Sequence, residues 1–292
     1  AISADTGTAS DDWNTKTASQ TITCTLTGAL DGDDLLYITL DDGSSWTDIT
    51  SSVSGTSVSA ASQTLSGTSA INFKVVDDAA NELASTKQAY VLDTTAPTIS
   101  FGSVDISADT GTSATDFNTK TAAQTLTATL SAAMAADDIL QVSVDNGNSW
   151  TTITNDVTGT PDVDLSTSIT LSGSSSIHLR ITDDAGNTGT ADTTSYTLDT
   201  TAPTEDCGSI DISADTGASD SDFNTKTAAQ TVTCTLDGAL DSDDLLYISV
   251  NNGGSYSAVS FSSTSISTSA TLSGSSTIKF KIVDDAGNEK VT

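Results

Sequence analysis

The sequence predicts an all-β protein built from tandem two-sheet β-sandwich domains of about seven strands each, arranged end to end. Three observations predict it: an internal repeat of roughly one hundred residues, a hydrophobic period of two within each copy, and Asx-Gly turn signals between the alternating stretches. The Asp-Thr-Gly triplet opens at Asp5, Asp109 and Asp215, spacings of 104 and 106 residues. The stretch Leu92-Asp93-Thr94-Thr95-Ala96-Pro97-Thr98 recurs as Leu198-Asp199-Thr200-Thr201-Ala202-Pro203-Thr204 and marks where one unit stops and the next starts. The expected domains are 1–97, 98–203 and 204–292, the last cut before any counterpart of Ala89-Tyr90-Val91-Leu92, so a frayed edge or a partly uncovered core is expected there.

Within a unit the elements follow in a fixed order. An Asp/Ser-rich turn carries an aromatic (Trp13, Phe117, Phe223), and a Thr-alternating strand follows, with Ile22, Cys24 and Leu26 on one face and Thr21, Thr23 and Thr25 on the other. After a double-Asp turn come Leu36, Ile38, Leu40 and their copies Leu140, Val142, Val144 and Leu246, Ile248, Val250. Asp41-Asp42-Gly43, Asp145-Asn146-Gly147 and Asn251-Asn252-Gly253 then favour tight turns with positive φ. The strand Ile71-Asn72-Phe73-Lys74-Val75 and its copies place Lys74, His178, Arg180, Lys279 and Lys281 outward. The Ser/Thr-rich segments 51–68 and 257–276 are still punctuated by Val53, Val58 and Leu65, which predicts edge strands and loops. No helix of three turns is expected; 132–138 is the nearest helical signal. Trp46, Trp150 and Tyr256, after the Gly turns, are expected to cap the sandwich core, with a ligand platform as the alternative.

Composition excludes several functions. The 292 residues carry 39 Asp and Glu against 9 Lys and Arg, a formal net charge of -30, so no basic patch for nucleic acid can exist. No membrane-spanning run or signal peptide is present, and the chain opens midway through the pattern that begins the later repeats, as a piece of a longer array would. The three cysteines suggest no disulfide framework: Cys24 and Cys234 fall on the apolar face, where a buried free thiol is expected. Two facing carboxylates, as in aspartic proteases, are not expected from Asp-Thr-Gly triplets a whole domain apart, and no enzyme activity is expected.

Acidic clusters recur at matching offsets. They are the opening segment (Asp5; Asp105 and Asp109; Asp211 and Asp215), the turn between two strands (Asp33 and Asp34; Asp137 and Asp138; Asp243 and Asp244), the closing turn (Asp77, Asp78, Asn81; Asp183, Asp184, Asn187; Asp284, Asp285, Asn288) and the linker (Asp93; Asp199). Any one of these is what a tight turn uses anyway. Together, with little Lys or Arg to neutralise them, they make a hard cation, Ca2+, the expected cofactor: calcium takes six to eight oxygens from carboxylate, amide and carbonyl groups. A single His and inward Cys do not supply a zinc site.

The pattern Asp-Thr-Gly-x-Ser-x-x-Asp-Phe (109–117), the Val-Asp-Asp-Ala-Gly-Asn turn and the Leu-Asp-Thr-Thr-Ala-Pro-Thr linker resemble the bacterial immunoglobulin-like extender repeats of giant repeats-in-toxin adhesins exported by type I secretion. The resemblance implies a calcium-rigidified, non-catalytic spacer, secreted to the bacterial cell surface as a monomer. It would contact neighbouring repeats of its own polypeptide and leave ligand contacts to other domains. It also implies junction calcium at Asp93 with Asp77 or Asp78 and Asp105, Asp109 or Asp137, and at Asp199 with Asp183 or Asp184 and Asp211 or Asp215. Ala80 departs from the pattern, standing where the other closing turns have Gly186 and Gly287. The alternatives are a glycan- or surface-polymer-binding module and a surface-layer array stabilised by salt in general.

Overall fold

The computed structural model describes residues 1–159 and 161–292. Each unit is a pair of sheets around its own apolar cluster. In the first unit one sheet holds Ser19–Thr25, Ser57–Thr64 and Val53–Ser54. The other runs Asn14–Thr15, Gln88–Leu92, Thr68–Val76, Leu35–Thr39 and Thr47–Asp48, with Glu82–Ala84 also on Thr68–Val76. The second unit repeats this with Phe101–Ile106 added to the first sheet, paired antiparallel to Ala123–Leu130, and with an isolated Thr182–Thr188 bridge in place of the Glu82–Ala84 strand. Two single-turn 3-10 segments, Thr50–Ser52 and Thr154–Asp156, are the helical elements among the described residues, and 132–138 is turn and bend.

Alternation drives the packing. Ala123–Leu130 and Ala229–Leu236 bury every second residue, Thr facing out and Gln124, Leu126, Ala128 and Leu130 facing in. Outward Thr keeps β propensity without adding an apolar surface patch. Leu36, Leu126, Leu140, Val232 and Phe280 are fully buried, in three separate clusters, one per unit. Tyr90 and Tyr196 fill the cores of the first two units, and their hydroxyls donate to Leu40 O (2.8 Å) and Val144 O (2.7 Å).

Among the described residues the third unit has no strand matching Gln88–Leu92 or Asp192–Leu198; its second sheet is Ser257–Val259, Leu245–Ser249, Lys279–Val283 and Glu289–Val291. Phe223 is accordingly 44% exposed, while Trp13 and Phe117 pack on their cores.

Two expectations are corrected. Cys234 is not a free thiol: Cys207 and Cys234, on antiparallel neighbours with Cα atoms 5.7 Å apart, form a disulfide. The second unit has Phe101 and Ala128 at this pair of positions, a large side chain beside a small one, both in its core cluster. Cys24 is free and half-buried, and burial pushes its thiol up. The aromatics after the Gly turns do not cap the cores. They fold over the outer sheet face, where Lys74 Nζ sits 4.8 Å from the Trp46 ring, Arg180 Cζ 3.7 Å from Trp150 and Lys281 Nζ 4.9 Å from Tyr256. In register, Tyr37 faces Lys74 and Tyr247 faces Lys281, so the scarce cations are held on aromatic faces.

Candidate metal centre at the unit junctions

The end of each unit that bears its closing turn is called the head, and the end bearing its opening Asp-Thr-Gly loop the tail. Thr68–Val76 runs toward the head, where Asp77 to Asn81 turn. Gln88–Leu92 is antiparallel to it, with Val91 opposite Thr68, and so delivers Asp93 to the tail. Asn14–Thr15 lies parallel to the end of that strand and brings the opening loop to the same place.

Each tail loop is built the same way. An oxygen of Asp5, Asp109 or Asp215 (Oδ2) accepts the N–H of Trp13 (3.3 Å), Phe117 (3.0 Å) or Phe223 (2.7 Å). All three aromatics have positive φ, between 59° and 62°. Bulky residues there cost on the order of 1–3 kcal/mol each, a strain that recurs at functional sites. Buried Gln20, Gln124 and Gln230 fasten the loop from inside. Each Oε1 accepts the N–H of Ala4, Ala108 or Ala214 (2.8 Å), and each Nε2 donates to the carbonyl of Thr17, Thr121 or Thr227.

The tail of one unit docks on the head of the next. Thr6 Oγ1 donates to Ala185 O (2.7 Å), Thr8 N–H to Asp184 O (3.2 Å) and Lys16 Nζ to Gly186 O (2.5 Å). Thr8 Oγ1 donates to Asp184 Oδ1 (3.1 Å), and Asn14 Nδ2 donates to Asp184 Oδ2. From the head side, Asn187 Nδ2 donates to Asp93 O (2.9 Å). The second junction repeats four of these six: Thr110 Oγ1 to Ala286 O (2.7 Å), Thr112 N–H to Asp285 O (3.3 Å), Lys120 Nζ to Gly287 O (2.5 Å) and Asn288 Nδ2 to Asp199 O (2.9 Å). The triplet is thereby explained residue by residue. Asp holds the strained aromatic, Thr reaches the next unit, and Gly allows close approach, since a Cβ on Gly111 would lie 2.7 Å from Asp285 O.

Seven of the expected ligands lie at the facing ends of each docked junction, spread too widely for any three carboxylates to form a metal-holding group. The first has Asp5 and Asp93 on the tail side and Asp137, Asp138, Asp183, Asp184 and Asn187 on the head side. The second has Asp109, Asp199, Asp243, Asp244, Asp284, Asp285 and Asn288. Asp33, Asp34, Asp77, Asp78 and Asn81 form the first unit's head, and Asp211 and Asp215 the third unit's tail. The partnerships implied for the linker are corrected. Asp93 stands a sandwich length from Asp77 and Asp78, because an antiparallel strand carries the chain back, and Asp105 and Asp109 belong to the far tail of the second unit. Of the residues named for that site, only Asp137 shares the junction with Asp93. Asp199 likewise meets Asp284 and Asp285, not Asp183, Asp184, Asp211 or Asp215.

Electrostatics differ between the junctions and the free turns. Burial, then repulsion from Asp183, Asp137 and Asp184, raises the Asp138 carboxyl above its ordinary value. Burial, then repulsion from Asp284, Asp199 and Asp243, raises Asp285. Asp5 and Asp109 are raised chiefly by burial, with Asp12 and Asp116 adding repulsion, and Asp244 by burial with Asp241, Asp284 and Glu205. By contrast, hydrogen bonds from Asn81 lower Asp77, and those from Ser45 and Ser149 bring Asp41 and Asp145 down to about 2. The second oxygen of Asp5, Asp109 and Asp215 is buried and has no hydrogen-bond partner. A buried carboxylate oxygen left so is costly, and its recurrence in all three units fits a hard cation. Among the described residues no group of three or more His, Cys, Asp or Glu is gathered closely enough to hold a metal ion by itself.

Sequence reasoning missed Thr15, Thr119, Gln20, Gln124 and Gln230, the buried supports of the loop. The recurring Asn-Thr-Lys-Thr-Ala-x-Gln was the signal: a Gln on the apolar face of three strands needs internal partners.

Neither a protein-family model nor a curated protein matches this chain. Among solved structures it is similar to a tetra-tandem repeat from the extending region of a large adhesion protein, at 18% identity over 96% of this chain and 70% of the other, with a TM-score of 0.24. It is also similar to the FN1–FN3 domains of chicken CNTN1, at 12% identity over 94% of each chain with a TM-score of 0.30. A third match is domains 3–5 of the Drosophila OTK extracellular region, at 10% identity over 94% and 91% with a TM-score of 0.26.

Proposed function

We propose that this chain is a non-catalytic spacer of a secreted bacterial cell-surface adhesin, stiffened by calcium at its unit junctions. The observation that carries the reading is the tail-to-head docking, made twice with four matching hydrogen bonds. A repeated direct contact of this kind limits hinging between units, as a spacer requires. Calcium would draw its carboxylates from among Asp5, Asp93, Asp138, Asp183 and Asp184 at the first junction and Asp109, Asp199, Asp244, Asp284 and Asp285 at the second, with Asp12 and Asp116 beside the orphaned oxygens. Binding would require these side chains to close on the ion, since no three stand close enough together without it. Backbone carbonyls and water complete the six to eight oxygens that calcium takes. The bound cation supplies positive charge where burial and mutual repulsion disfavour carboxylate. The disulfide supports an oxidising, extracellular setting, and calcium, scarce in the cytosol, would leave the chain less folded before export. A sugar platform at Trp46 or Trp150 is the weaker reading, because Lys74 and Arg180 lie over those rings. Titration calorimetry tests the metal: the reading expects calcium binding that D5N and D109N each reduce, and no heat from calcium, or equal binding of magnesium, contradicts it.

A further inference from the structure

At each docked junction the head presents the residue after Ala185 or Ala286 to the tail. That residue is Gly186 or Gly287, with φ of +88° and +87°. A Cβ on Gly186 would fall far inside contact distance of Thr6 O, and one on Gly287 would strike Thr110 O in the same way. The obstacle is backbone carbonyl, which no rotamer can move. The matching residue in the first unit is Ala80, with φ of +64°. Its turn is otherwise the same: Ala80 N–H donates to Asp77 O at 3.0 Å, as Gly186 N–H does to Asp183 O at 3.0 Å. The closing turn therefore folds with alanine, and only the approach of a tail is blocked.

We propose that the residue at 80, 186 and 287 decides which heads accept a tail. Glycine admits a Thr-Gly tail loop, and Ala80 bars the first unit's head from one. That head would then fit only a neighbour whose loop brings no carbonyl to this point, and it would not receive the third unit's Asp215-Thr216-Gly217 loop from another copy. The proposal rests on the spacer reading, since it concerns the same docked junctions, but it does not involve the metal.

The test is hydrogen exchange on the full chain in calcium and in chelator, reading the Thr8 and Thr112 amides, which donate across the junctions. G186A is expected to speed exchange at Thr8 about tenfold or more, with Thr112, the Asn187 turn amide and the core amide of Leu179 unchanged. G287A should act on Thr112 alone. G173A is the control, because Gly173 also has positive φ (+57°) but open space around it; it should leave both amides as in wild type. Protection at Thr8 that survives G186A, or loss caused equally by G173A, overturns the proposal. Wild-type amides unprotected in both buffers would overturn the docked spacer as well, and a calcium-independent wild type with G186A still loosened would overturn only the metal.

Discussion

Replacing Asp109 with Asn should change sign with calcium. The substitution keeps an oxygen to accept the Phe117 N–H (3.0 Å) and removes the charge from a half-buried group that lies beside Asp116 and has one buried, unpartnered oxygen. In chelator the loss of this half-buried, poorly satisfied charge is worth about 1 kcal/mol once solvent screening is allowed for, so D109N should be more stable than wild type. The folded-state carboxyl is raised above its ordinary value, so the wild-type penalty is full above the folded pKa. It fades as pH falls through that value toward the unfolded value near 3.8, and the two proteins converge there. With calcium at about 100 times its dissociation constant, wild type gains about 2.7 kcal/mol per site, which D109N forfeits, so the order reverses. Thermal melts at pH 4 and 7, with and without calcium, read both signs. D215N is the internal comparison, since Asp215 has the same orphaned oxygen but docks on no head, and its calcium effect should be smaller. If D109N destabilises equally in both buffers, the carboxylate is only a loop support and the metal argument fails.

Other expectations are simpler. Reducing Cys207–Cys234, or C207S, should destabilise the third unit by about 3.5 kcal/mol from the entropy of a loop of 27 residues, seen as an earlier melting step that leaves the first two units unmoved. Q124L should cost at least about 3 kcal/mol, because the Ala108 N–H and the Thr121 carbonyl lose buried partners, and urea melts that match wild type would contradict this. R180A should cost about 0.5–1 kcal/mol by exposing the Trp150 face, visible as a shift in tryptophan emission.

The fold was legible because period-two alternation and Asx-Gly turns act locally. Leu126, Ala128 and Leu130 point inward wherever the strand sits, and Gly43 and Gly147 take positive φ whatever surrounds them. What pairs with what was not legible. Sequence order sets Asp77 and Asp93 sixteen residues apart, yet antiparallel pairing puts a whole sandwich between them. The direction of Trp150 was equally hidden, since a residue after a turn can fold over either sheet face and the cation on Arg180 decides. Cys207 and Cys234 are joined across a bulge that shifts register, which spacing alone does not reveal.

Small-angle X-ray scattering of residues 1–292, first in chelator and then in millimolar calcium, tests whether calcium holds docked units in line. A longer maximum dimension and a narrower shape distribution on adding calcium is the predicted result; an identical profile in the two buffers would contradict the account and leave the acidic clusters as turns that serve single units.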